Sequence, residues 1–86
     1  MTYYVYVLRS EKDGNMYTGF ASNLKERLAK HRQGLVFSTK SRLPVRVIYY
    51  EACLTKKDAW AREKYLKSGM GKRYLKNRLK HYLHNL

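Results

Sequence analysis

Tyr3-Tyr4-Val5-Tyr6-Val7-Leu8, a gap holding Asp13-Gly14-Asn15, then Met16-Tyr17-Thr18-Gly19-Phe20: the reading of this stretch decides the fold. Residues 3–8 are rich in β-branched and aromatic strand formers. Asp13-Gly14-Asn15 is a strong turn signal, and Met16 to Phe20 reads as the returning strand. Side chains alternate along a strand, so a two-residue hairpin puts even positions of the first strand on one face with odd positions of the second. Tyr4, Tyr6 and Tyr17 would then lie together, whereas a longer or odd-length loop would undo this parity. Gly19 marks either a close backbone approach or a bulge where the strand leaves the sheet.

Beyond the hairpin, Asn23 followed three residues later by Glu26 approximates a capping box. The helix it opens runs to about Gln33 and stops at Gly34. Leu24 and Leu28 form its inward stripe, and Arg27 and His31, four apart, share a different face. Gly34 to Pro44 is a loop carrying Ser38, Thr39, Lys40, Ser41 and Arg42. It reads equally as a solvated connection and as a flexible arm that contacts phosphates. Val45 to Glu51 is a third strand. Thr55 with Asp58 is a capping box for a second helix to about Ser68, with Ala59, Glu63 and Leu66 inward.

Glu63 interrupts an apolar seam, and a half-buried carboxylate is costly without a partner. Arg62, Lys64, Lys67 or a base from the first helix could supply one. Gly69-Met70-Gly71 reads as a break, followed by a third helix from Lys72 to Asn85 with Leu75, Leu79, Tyr82, Leu83 and Leu86 inward. The expectation is one α/β (α+β) domain over residues 1–86, a small three-stranded, mainly antiparallel sheet flanked by helices in the order β-β-α-β-α-α. There is not enough chain for two cores.

The net charge is +13, with nineteen Lys and Arg against six Asp and Glu. Such a balance self-repels, so it points to a polyanionic partner, nucleic acid before a membrane surface. Lys40, Arg42, Lys72, Arg73 and Lys76 are the candidate phosphate contacts. Cys53 is the single cysteine, which excludes an internal disulfide and a thiolate metal cluster and fits a reducing cytoplasm. No signal peptide and no membrane-spanning run are expected. Nine tyrosines are the unusual component, since tyrosine can fill a core and still present a hydroxyl.

The chain resembles the GIY-YIG nuclease family. Tyr4-Val5-Tyr6 stands where the first triplet falls and Tyr17-Thr18-Gly19 where the second falls, with a family-like gap of ten residues between them. Asn23-Leu24-Lys25-Glu26-Arg27-Leu28 is similar to the start of the helix carrying the family's arginine. Glu63, within Ala59-Trp60-Ala61-Arg62-Glu63-Lys64, falls where its metal-binding glutamate is expected. The resemblance is to small bacterial members similar to the nuclease domain of the excision-repair incision subunit. Tyr4 and Thr18 depart from the triplets, and Phe20 stands where relatives often carry a lysine.

The resemblance implies a metal-dependent DNA endonuclease, structure- or damage-linked in repair, with Tyr6, Tyr17, Arg27 and Glu63 at its site; His31, beside Arg27 on the same helix face, is a further candidate. Arg27 can give a permanent, bidentate cation to phosphate oxygens. Glu63 can hold one divalent ion, Mg²⁺ or Mn²⁺, which keep water ligands; no small-molecule cofactor is expected. The resemblance implies that Tyr17 positions or deprotonates the attacking water. A free tyrosine has a pKa of about 10, too high for a base at neutral pH unless cations favour the phenolate. His31, a histidine of ordinary pKa near 6.5, is an alternative acceptor. Tyr6 would orient Tyr17 or contact phosphate. DNA is expected ahead of RNA. The rival reading is a nucleic-acid-binding module of the same fold that cuts weakly or not at all. A third is an interaction protein whose basic last helix binds a membrane or an acidic partner.

Overall fold

A computed structural model describes residues 1–86. Three strands, β1 (Tyr3–Ser10), β2 (Met16–Ala21) and β3 (Val45–Cys53), form an antiparallel sheet in the order β2-β1-β3. Helix α1 (Leu24–Arg32) follows the hairpin, and α2 (Lys56–Lys67), α3 (Gly69–Arg78) and α4 (Lys80–His84) follow β3. The element order is therefore β-β-α-β-α-α-α.

The central strand is apolar on both faces because helices cover both. Val5 and Val7 pack against Ala59 and Leu66 of α2 and Leu75 of α3, and these five fully buried side chains are the core. The even positions Tyr6 and Leu8 are as deeply buried on the opposite face. The hairpin loop is longer than two residues. Six residues, 10–15, separate the last pair, Arg9 and Met16, and an even number preserves the parity. Tyr4 pairs with Ala21, Tyr6 with Gly19 and Leu8 with Tyr17, so Tyr4, Tyr6 and Tyr17 do share a face. The bulge is elsewhere: between Val7 and Leu8 the partner on β3 moves from Tyr49 to Val47, leaving Ile48 extra.

Both capping boxes form. Asn23 Oδ1 accepts from the Glu26 N–H at 3.0 Å, and Thr55 Oγ1 from the Asp58 N–H at 3.1 Å. The third helix departs from expectation at both ends. Gly69 to Gly71 is the first turn of α3 rather than a break, because Ser68 Oγ accepts from the Gly71 N–H at 3.1 Å. Gly71 is required there, since a Cβ on it would collide with the Tyr65 carbonyl and the Leu66 backbone. The helix then stops at Leu79, whose backbone (φ −107°, ψ 21°) separates α3 from α4. Leu86 lies outside α4 and is exposed, not inward. No helix is long and apolar enough to cross a membrane.

Candidate active site

Tyr6 lies in the middle of β1, only 2% exposed, and Gly19 sits directly across from it on β2. A Cβ at Gly19 would fall 2.6 Å from the Tyr6 hydroxyl, so the glycine is what lets the ring lie across the edge strand. The Tyr6 hydroxyl meets His31 Nε2 at 2.9 Å, and Arg27 Nε donates to it at 3.4 Å. On the far side of the imidazole, Nδ1 meets Thr39 Oγ1 at 2.7 Å.

Burial, helped by the nearby Arg27 charge, holds the His31 pKa below its ordinary value. A neutral ring suits the chain of bonds: Arg27 donates to Tyr6, Tyr6 donates to Nε2, and Nδ1–H donates to Thr39. His31 is therefore a buried imidazole and not an exposed one. It is 4% exposed and both its nitrogens are engaged, so it holds Tyr6 rather than offering a free nitrogen to a substrate. The loop from Gly34 to Pro44 is not a free arm either, because Thr39 at its middle is fully buried.

At the β2 edge of the sheet these groups open into a cleft of about 230 Å³. Tyr6, Tyr17, Arg27, His31 and Glu63 all line it, so all five residues suggested as catalytic meet in one place. Tyr6 and Tyr17 come from the hairpin, Arg27 and His31 from α1 on one side of the sheet, and Glu63 from α2 on the other. Glu63 is half-buried between the core residues Ala59 and Leu66, and its partner is Lys67, with Nζ 3.4 Å from the carboxylate. Arg62, another candidate partner, instead pairs with Glu51 on β3 at 2.6 Å. Phe20 also lines the cleft.

A wider groove of about 660 Å³ adjoins the cleft and shares Tyr17, Thr18, Ser38 and Lys67 with it. Lys72 and Lys76, one turn apart on α3, line that groove. The other suggested phosphate contacts are placed differently. Arg73 is exposed but does not line the groove. Arg42 is paired with Asp13 at 3.3 Å, and Lys40 lies over the Phe37 ring. Asn77, His81 and His84 are exposed and line neither cavity. Cys53 is half-buried at the end of β3, and burial pushes its thiol pKa up, away from reactivity.

Two participants carry no signature of their own in the sequence. Thr39 reaches His31 only because the loop folds back over α1. Ser38, beside it, is brought to the cleft by the same turn. Lys67 could be found, as the residue four beyond Glu63 on one helix face.

Comparisons with known proteins show the family of the chain. The model of the GIY-YIG catalytic domain matches residues 2–80. A UPF0213 protein of Staphylococcus saprophyticus is 37% identical over 75 residues, covering 86% of this chain and 90% of that protein. One from Lacticaseibacillus paracasei is 43% identical over 67 residues, 77% of this chain and 74% of that one. The solution NMR structure of a UPF0213 protein from Bacillus halodurans superposes with a TM-score of 0.55 at 33% identity, covering 87% of this chain and 82% of that one. With a cleft built from both tyrosine triplets, the α1 arginine and the α2 glutamate, the chain belongs to the GIY-YIG catalytic domain family, a family of nucleases.

Proposed function

We propose that the cleft hydrolyses phosphodiester bonds in DNA, on structured or damaged substrates of the kind met in repair. The observation that carries this reading is the meeting of Tyr17, Arg27 and Glu63 in one cleft opening onto a lysine-lined groove. Arg27 uses Nε on the Tyr6 hydroxyl, which leaves its terminal nitrogens for the non-bridging oxygens of a phosphate. Charge relief there counts most in the transition state, where negative charge builds up. Tyr17 orients the attacking water through its hydroxyl. Tyr6, His31 and Thr39 are positioning residues that fix the Arg27 side chain.

A divalent ion fits the donor set. No three His, Cys, Asp or Glu side chains cluster anywhere in the chain, so the cleft offers a single hard carboxylate, Glu63. One carboxylate completed by waters and a phosphate oxygen suits Mg²⁺ or Mn²⁺. When bound, such an ion supplies Lewis-acid polarisation of the phosphate. Without it, Lys67 neutralises the carboxylate.

The test is cleavage of labelled branched, single-stranded and duplex DNA with Mg²⁺ or Mn²⁺, comparing the native protein with Glu63→Ala and Tyr17→Phe. Metal-dependent cutting lost in both variants supports the assignment. Salt-sensitive binding without cutting in any of the three would identify a binding module of the same fold. Equal cutting by all three would remove the site assignment.

A further inference from the structure

Phe37 is the most exposed of the large aromatic side chains that the fold leaves in solvent. It is 84% exposed, packs against nothing in the core, and sits beside Ser38, which lines both the cleft and the groove. Its backbone is nevertheless fixed. Thr39, two residues on, is buried and bonded to His31, and the N–H groups of Thr39 and Lys40 both donate to the Val36 carbonyl at 3.1 and 2.9 Å. An aromatic ring is thus displayed on an anchored turn whose next residue, Ser38, lines the cleft and the groove. Lys40 lies 4.9 Å from the ring centroid, so the ring is flanked by a cation.

Aromatic faces at the edge of a basic groove have one common use: a nucleobase stacks on them while the cations track the backbone. A base inside a continuous duplex has both faces covered by its neighbours and offers none to the ring. An unpaired base does. Resting on the reading of this cleft as a nucleic-acid site, we propose that Phe37 is a stacking platform for an unpaired base beside the phosphate held by Arg27. The platform makes the site prefer single-stranded or frayed strands over continuous duplex.

The experiment measures binding of a short DNA oligonucleotide carrying one 2-aminopurine, single-stranded and as duplex, at fixed salt without divalent ion. Native protein, Phe37→Ala and Phe37→Trp are compared, and the circular dichroism spectrum of each is recorded. The native protein is expected to change 2-aminopurine fluorescence in the single strand. Phe37→Ala should weaken single-strand binding about tenfold and duplex binding by less than about twofold, while Phe37→Trp retains the preference. Equal weakening on both substrates, or no change on either, overturns the proposal. Because nothing is cut, the outcome is independent of hydrolysis. A protein that cleaves DNA yet shows no Phe37 effect loses only the stacking platform, and one that stacks but never cleaves loses only the nuclease reading.

Discussion

Replacing Gly19 by alanine tests how the site is built into the sheet. In an open strand, alanine is favoured over glycine by about 0.5–1 kcal/mol, because glycine loses more backbone freedom on folding. Here the added Cβ would lie 2.6 Å from the Tyr6 hydroxyl oxygen and 2.8 Å from Cζ. Tyr6 is buried against α1 and cannot swing outward without giving up its 2.9 Å bond to His31. Overpacking of about 1–3 kcal/mol and a lost buried hydrogen bond of about 0.5–1.5 kcal/mol, less the gain of about 0.5–1 kcal/mol that favours alanine, give a destabilisation of roughly 1–4 kcal/mol. A domain of this size has roughly 4–13 kcal/mol in total, so the variant should still fold. Tyr6→Phe removes the nearest atom and leaves the ring carbon, so it relieves part of the clash. Urea denaturation of both single variants and the double variant should show a coupling of about 1 kcal/mol or more. Additivity within about 0.5 kcal/mol, or a stabilised Gly19→Ala, would refute the account of why this triplet ends in glycine.

Two further outcomes follow from the same geometry. The His31 pKa lies below its unfolded value of about 6.5, so folding favours the neutral ring; that stability is complete above about pH 6.5 and is lost as pH falls through the folded pKa. The urea midpoint should therefore fall between about pH 7 and pH 5, and His31→Gln should flatten that slope; an unchanged slope would show that the ring does not titrate with folding. Lys72→Ala and Lys76→Ala together should weaken DNA binding regardless of sequence and make the slope of log K against log salt shallower by about 2, whereas an unchanged slope would remove both from the interface.

What the sequence discloses here is what local chemistry decides. Asn23 and Thr55 announce their helices because a cap is a contact within three residues. The alternation of Tyr4, Tyr6 and Leu8 places them on one face, and Tyr17 joins them because the loop is even, a matter of length alone. Gly19 is legible as a close approach, though not what approaches. The sequence is silent where a residue's meaning depends on another part of the chain. His31 has the right spacing from Arg27, but its burial comes from Thr39 folding over it. Gly71 looks like a helix breaker from propensity and is a helix residue because the α2 backbone leaves no room for a Cβ. Leu86 continues an apolar period past the end of the helix that would have buried it.

The charge balance bears on the site as well as on the partner. Five of the six acids each pair with one cation, and Asp58 sits in the first turn of α2. Of nineteen Lys and Arg, fourteen therefore have no carboxylate partner within the chain. Their mutual repulsion opposes folding, and a ligand that binds the folded chain through them reverses that opposition, so polyanion binding and stability are coupled. Against such a surface, an acid facing the substrate needs a reason. Glu63 is the one acid that lines the cleft, and by charge alone it repels the phosphate that Arg27 attracts. Its position is consistent with a phosphate site only if a cation stands between carboxylate and phosphate. Lys67 fills that place in the free protein, and the proposed divalent ion would fill it in the working one. Removing the Glu63 charge should therefore tighten DNA binding even as it ends cleavage. A residue serving only to hold α2 in the core would do neither.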